Sequence, residues 1–535
     1  MTNTFRRAPR GLIASAAALS AMLLLATSSP SGAAGTAVES PTGWTKQPDS
    51  KELAGGAEHF RFIEDVATPG HPTRRELNVL RLDPAKGALR IESTVGASIS
   101  GRESVRDQLK AGFFKDHPPL AGINGSYFLP EPKSGVPGSE ETLAFLGVSA
   151  RDGVLNSISC VRPLRNSAGG FVKDDKNKLV PDYGNQAVVL QYGVPYIARL
   201  KASVTLSYLD KDKKEVLGRT LTVGGVNRDP GRAPCAYDKA TLNSQEETLA
   251  PVAKPAYTTA NEIVLFHDGY DVKTPKPNLD TTPAINEDDA QGIEVSVGAD
   301  GTMDPPTTGR GGLSVKSGGY VLQAIGQGAT DLTAFVNDAT AQGYTLKVTQ
   351  QVEDMDHTKQ VDSTTVQRSV DLDESVDIVS GIHRLLQDGE TSKILPSCAR
   401  LIVSASTLPG EGASTLPDEV EQEEDPTVKE SDACLDARTV LGVDAQGRTV
   451  LATLTGPRDA AAGNPDGDFM ANVAKMLKDN FEVIDAINFD GGGSTTMIVG
   501  GVRQTGRTDS VNHSPDGERP IADSVYAGNG GIAVK

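Results

Sequence analysis

Late in the chain an apolar run, Val483-Ile484-Asp485-Ala486-Ile487-Asn488-Phe489, stops at Asp490-Gly491-Gly492-Gly493-Ser494-Thr495-Thr496. A carboxylate is thereby presented where a strand-like stretch ends, beside three residues without side chains. Glycine lets another group approach the backbone closely. Consecutive Gly and Ser amides can also form a concave nest for an anion such as a phosphate. That combination suits acid–base chemistry next to a charged substrate. It equally suits a tight turn in which Asp490 caps its own backbone, and the residues alone leave both readings open.

Two further clusters carry polar side chains between apolar stretches. In Ala121-Gly122-Ile123-Asn124-Gly125-Ser126-Tyr127-Phe128 the Asn124 amide is placed to bond a sugar hydroxyl, or else forms an Asn-Gly hairpin turn. In Asn512-His513-Ser514-Pro515-Asp516-Gly517-Glu518-Arg519-Pro520, Arg519 has the fork geometry for a phosphate. Other chemistries find no support. There is no P-loop, HExxH or GxSxG, and Gly326-Gln327-Gly328 lacks the third glycine of a dinucleotide fingerprint. The seven histidines show no ligand spacing, so no metal or cofactor is implied. Asp466 and Asp468 read as caps of a following helix rather than as Ca²⁺ ligands.

These residues need a scaffold, and the pattern around them is mostly strand. Alternation marks His59–Ile63 and Glu76–Leu82, and short strands recur at Ala187–Leu190, Ser203–Tyr208 and Glu262–Phe266. Helices are expected over 103–114 with Ser100 as cap, over 331–342 with Thr330 or Asp331 as cap and Gly343 as stop, and over 468–480. Residues 271–290 read as a polar loop, and 405–432 as an acidic, proline-containing excursion. The expected class is α+β: strand-rich mixed sheets with a few helices packed on them, in one elaborated domain over 59–535 with a variable strand-rich middle at about 150–330.

Composition agrees with a large turn-rich globular chain. Its 56 glycines lack a three-residue period, which excludes collagen. A formal charge of −18 argues against a nucleic-acid partner, whose phosphates it would repel. Arg6, Arg7 and Arg10, the apolar run Leu12–Ala26 and a small-residue stretch to Ala34 read as a secretory signal over 1–34. Its removal leaves 49 basic residues against 70 acidic, or −21. Residues 35–58 read as a loose mature N-terminus, and no other stretch is apolar enough to serve as a transmembrane anchor. Secretion makes disulfides available to Cys160, Cys235, Cys398 and Cys434. Of three pairings, Cys160–Cys235 and Cys398–Cys434 is favoured because the second brackets the acidic excursion.

Taken together, Ile123–Phe128 and the run Ile487-Asn488-Phe489-Asp490-Gly491-Gly492-Gly493-Ser494-Thr495-Thr496-Met497 resemble the phosphodiester glycosidase family, that of the N-acetylglucosamine-1-phosphodiester α-N-acetylglucosaminidases. Gly381–Gly389, Ala437–Asp444 and Glu518–Ile521 are similar to further family segments in the same order, so the resemblance spans roughly 60–535. It implies a secreted hydrolase that cleaves a sugar-1-phosphodiester on the glycosidic side, releasing free sugar and a phosphomonoester, with no cofactor. On that resemblance Asp490 is a catalytic carboxylate, and Asp388 and Glu518 are candidates for the second one that glycoside hydrolysis uses. The Gly491, Gly492, Gly493, Ser494 and Thr495 segment, with Arg438 and Arg519, would hold the phosphate. Asn124, Tyr127 and Asn512 would contact the sugar. Three positions depart from the family pattern: Ser126 stands for Asp or Gly, Asn472 for Glu, and His383-Arg384 for small residues that would leave a wider pocket. The competing expectation is a non-catalytic cell-wall or glycan-binding module that keeps the fold.

Overall fold

The computed structural model describes residues 38–68, 73–86, 89–111, 118–131, 142–159, 162–163, 181–182, 185–231, 261–277, 291–361, 364–381, 383–392, 436–458, 466–508 and 517–529. The four cysteines, Asn512, the signal-like segment and the acidic tract all lie outside them. The chain divides into Met1–Glu39 and Ser40–Lys535, and every element below belongs to the second unit. Among the described residues 49% are strand and 12% helix, with several sheets and few helices.

Labelled in chain order, the elements that build the core and the site are β1 (Glu76–Leu82), β2 (Ala121–Asn124), β3 (Asn185–Gln191), β4 (Val194–Leu209), α1 (Gln327–Gln342), β5 (Thr345–Val361), β6 (Val376–Ser380), β7 (His383–Gln387), β8 (Arg438–Asp444), β9 (Thr449–Thr455), α2 (Met470–Phe481), β10 (Val483–Asn488), β11 (Met497–Val499) and β12 (Ser524–Asn529). A nine-stranded sheet runs Trp44–Lys46, Ala57–Glu64, β1, β9, β8, β10, β7 and Glu390–Thr391, with Lys51–Glu52 alongside Ala57–Glu64. A five-stranded sheet runs Val502–Arg503, β11, β2, β12 and Leu89–Thr94. An eight-stranded sheet is centred on β6, β3, β4 and β5. Pairing is antiparallel throughout these three; the parallel pair lies in a separate five-stranded sheet, between Gly225–Val226 and Glu262–His267.

The three sheets meet in one apolar core. Leu80, Leu441, Leu451 and Ile487 from the first, Ile123, Met497 and Val525 from the second, and Val188, Ile197 and Val379 from the third pack together with Phe489. Period-2 alternation sends alternate side chains to that core. The other face of the nine-stranded sheet receives α2 through Val473, Leu477 and Phe481, and the Phe481 ring meets Phe62 edge-on at 5.9 Å. The helix starts two residues later than expected, at Met470. Asp468 takes the Phe469 N–H and the Asn472 side chain on Oδ1 while Arg75 holds Oδ2. It therefore anchors the helix entrance through side chains rather than capping its second or third amide.

Three other expectations change. The helix expected over 103–114 is one turn, Val105–Gln108, capped by Ser104 and not Ser100. The helix α1 begins at Gln327, earlier than 331, because the Asn261 carboxamide accepts the Gln327 N–H at 2.7 Å, in the place expected of Thr330 or Asp331. Gly343 stops it at φ +68, as its freedom from a Cβ allows. Residues 44–46 and 51–52, expected within a loose stretch, pair with Ala57–Glu64, and the Trp44 ring lies under the Arg75 guanidinium at 5.5 Å. A buried indole and a ladder of backbone bonds are what hold this segment.

Candidate active site

The site forms where β10 ends against the second sheet. Phe489 continues the ladder by donating its N–H to Thr439 O at 2.8 Å, and its ring enters the core. The next residue leaves the sheet: Asp490 N–H turns to Gly125 O at 3.0 Å. Asp490 therefore bridges two sheets through its backbone, with its carboxylate in a nearly dry position, 8% exposed. Burial pushes this carboxyl up to about 7. The Ser494 hydroxyl, the Arg519 charge and the Gly491 N–H work against that rise, and the like charge of Asp436 adds to it. The Ser494 hydroxyl faces the carboxylate without an ideal hydrogen-bond geometry to any partner.

Glycine at 492 and 493 leaves room for what lies beside it. Gly492 has φ +54, and a Cβ there would stand 3.0 Å from Asp436 Oδ2. A Cβ on Gly493 would stand 2.3 Å from Arg519 Nη2 and 2.5 Å from its Cζ. An acid and a base thus crowd onto a backbone stripped of side chains, in the loop that carries Asp490. Arg438 is buried; its Nε donates to Asp468 O at 3.0 Å, and Nη1 lies 3.7 Å from where a Gly491 Cβ would be.

The nest of amides does not form. Residues Gly492–Ser494 make a turn of 3-10 helix. Gly492 N–H is spent on Ala437 O, Ser494 N–H on Gly491 O and Thr495 N–H on Gly492 O, at 2.9–3.1 Å. Thr508 Oγ1 donates toward Gly493 O at 2.9 Å and also reaches Thr495 O. Charge stabilisation of an anion here falls to arginine, because most of the loop's donors face inward. Ser494 and Thr495 are themselves wholly buried.

Several expected contact residues take other jobs. Asn124 is fully buried behind the loop; Nδ2 donates to Asp490 O at 2.7 Å, and Oδ1 accepts Thr439 Oγ1 at 2.7 Å and Thr496 N–H at 3.1 Å. Both acceptor directions are used, so it staples three segments rather than meeting a sugar. Tyr127 is buried, its carbonyl accepting Leu146 N–H at 2.9 Å. Glu518 is buried and raised by desolvation; it accepts Arg106 N–H at 2.9 Å and faces the Arg106 guanidinium at 3.6 Å. It ties the chain just before Arg519 to the short helix. Asp388 is exposed in a turn at φ +51, where Gly389 N–H meets Ile484 O. That is the far end of the β7–β10 pair, roughly 20 Å of strand from Asp490 at about 3.3 Å per residue. The structure does not bring Asp388 to the site.

The departures noted in the sequence also find places. Ser126 donates its N–H and Oγ–H to the two oxygens of Asp523, at 2.6 and 2.8 Å, and its Oγ accepts Ser380 N–H. Asp523 is buried and pushed up to about 6 by desolvation. Its own carbonyl takes the N–H of Gly125, the same residue whose carbonyl accepts the Asp490 N–H. Arg384 is engaged between Asp356 and Asp485, both at 2.9 Å, and His383 pairs with Asn488 in the sheet. Among the described residues no group of three or more His, Cys, Asp or Glu converges as a metal site. Sequence reasoning missed Asp436, Asp523 and Thr508. Asp436 precedes Arg438 by two residues, which is the only local signal it carries.

A sequence profile supplies the comparison. Residues 291–527 match the phosphodiester glycosidase family. The matched stretch holds Asp388, Asp436, Arg438, the glycine loop, Glu518 and Arg519, while Asn124 precedes it. No curated protein matches the chain. Among solved structures, a putative exported protein from Burkholderia pseudomallei shares the fold at TM-score 0.58 and 17% identity, over 92% of this chain and 98% of its own. A hypothetical protein from Synechocystis aligns at TM-score 0.47 and 12% identity, over 91% of this chain and 68% of that one. The zebrafish N-acetylglucosamine-1-phosphodiester α-N-acetylglucosaminidase catalytic domain, auto-inhibited by its pro-peptide, aligns at TM-score 0.29 and 14% identity, over 91% and 90%. The stretch similar to that family includes the Asp490-Gly491-Gly492-Gly493 loop that departs from β10.

Proposed function

We propose that the chain is an exported hydrolase that cleaves the glycosidic bond of a sugar-1-phosphodiester. The observation that carries this reading is the Asp490 carboxyl, held near neutrality by burial, with Arg519 against Gly493 and Asp436 against Gly492 of its loop. The reaction forms a bond from water oxygen to the anomeric carbon and breaks the bond from that carbon to the phosphate oxygen. The electron pair leaves with the phosphate. A departing phosphate gains negative charge, which a guanidinium placed beside it stabilises. Arg519 is the group so placed, lodged on Gly493. A carboxyl near pH 7 can give or take a proton without a large driving-force penalty.

The family match supports phosphodiester glycosidase chemistry, and an N-acetylglucosamine-type sugar is the substrate we propose. Export follows from the signal-like segment over 1–34, and it opens extracellular or cell-wall glycans as the source of substrate. Purified chain incubated with an α-linked N-acetylglucosamine 1-phosphodiester should release free sugar and phosphomonoester, and Asp490→Asn should abolish release. Tight binding of the glycan without turnover, unaltered by Asp490→Asn, would instead establish a binding module.

A further inference from the structure

Resting on the glycosidase reading above, we propose that Asp436 is the second carboxylate: Asp490 passes its proton to the phosphate oxygen as the glycosidic bond breaks, while Asp436 takes a proton from the attacking water. Neither sequence candidate fits that part, since Asp388 lies at the opposite end of the β7–β10 pair and Glu518 is spent on Arg106. Asp436 is half-buried two residues before β8, and its Oδ1 accepts the Ala437 N–H at 2.9 Å. Its backbone is pinned by a bridge to Asp468, whose N–H meets Asp436 O at 3.0 Å, so the carboxylate projects from a rigid strand end. Both its oxygens lie within 3.2 Å of where a side chain on residue 492 would begin. A side chain there would crowd those oxygens, and the φ of +54 favours glycine besides.

Two carboxylates in unlike surroundings divide acid and base between them. Asp490 is desolvated, and its facing charges are Arg519, Asp436 and, behind Gly491, Arg438. Asp436 is the more solvated of the pair. The step balances. Water gives one proton to Asp436 and its oxygen to the anomeric carbon; the bond to the phosphate breaks; the phosphate oxygen takes the electron pair and the proton of Asp490. Solvent exchange returns both groups to their starting state.

The test uses the full chain with two substrates, α-N-acetylglucosamine 1-(methyl phosphate) and 1-(4-nitrophenyl phosphate). Asp436→Asn, and Asp436→Ser should the first fold poorly, is expected to lower kcat about 100-fold or more on both, as loss of a general base does, with partial rescue by added azide. Asp490→Asn should instead lose more on the methyl ester, whose phosphate departs less readily. Carbon-13 NMR of the carboxyl groups supplies a readout free of substrate: Asp436→Asn should move the Asp490 titration downward, because a like charge is removed. A well-folded Asp436→Asn within threefold of wild type, or an Asp490 titration that does not move, overturns the pair. Wild type inactive on both esters overturns the glycosidase reading itself, and the NMR shift still decides whether the two carboxylates are coupled.

Discussion

Gly493→Ala separates the site from the fold more cleanly than any charge removal. Gly493 carries no positive φ, so alanine meets no backbone strain there. Its new methyl would stand 2.3 Å from Arg519 Nη2, where ordinary contact needs about 3.4 Å, so the guanidinium must retreat by about 1 Å. The group displaced is the far end of a flexible, half-buried side chain, so the melting temperature should fall by less than about 2 °C. Chemistry should respond far more, since a misplacement of about 1 Å in a positioned group costs on the order of 100-fold. That corresponds to about 2.7 kcal/mol of transition-state stabilisation at roughly 1.4 kcal/mol per tenfold. Arg519 also holds the Asp490 carboxyl down, so its retreat should move the corresponding limb of the pH–rate profile upward from about 7. Steady-state kinetics across pH on a sugar-1-phosphodiester, with thermal melts alongside, measure all three. A Gly493→Ala enzyme within threefold of wild type in kcat/KM and with an unmoved profile would refute the assignment of Arg519.

Other outcomes follow from the same geometry. Asp490 is raised on folding, so its contribution to stability is present below the unfolded carboxyl range and is lost as pH climbs through about 7. Asp490→Asn should therefore melt higher than wild type at pH 8, by up to a few kcal/mol of stability, and differ little at pH 4; the reverse order in melts at the two pH values would contradict the burial argument. Asn124→Ala strands Thr439 Oγ1, Thr496 N–H and Asp490 O in the interior, and should cost about 3 kcal/mol by denaturant titration together with most of the activity. Asp388→Gly should leave kcat/KM within twofold and hold or raise the melting temperature, since glycine relieves a φ of +51.

Much of the scaffold was legible because strand alternation is a local signal. The segments at 59–63, 76–82, 187–190 and 262–266 lie within observed strands, although 76–82, 187–190 and 262–266 are buried at every position rather than at every second one. The helix starts were read less well. Gln327 is capped by Asn261, a residue 66 positions away, and no local spacing reports such a partner. At the site, the carboxylate–glycine run and Arg519 were visible as residue types. Their orientation was not. The Gly-Gly-Ser amides turn inward because Ala437 O and the loop's own carbonyls reach them first.

From its residues alone, then, this chain is a strand-rich protein with a phosphodiester glycosidase motif at the end of one strand. Those properties rest on periodicity and on short contiguous segments, which need no folded context to be recognised. Which carboxylate stands opposite Asp490, and whether Asn124 faces substrate or core, depend on contacts between residues hundreds of positions apart. Asn124 and Asp490 are separated by 366 residues yet joined at 2.7 Å. Only the meeting of three sheets brings them there, burying one as a staple and drying the other until its proton is held near neutrality.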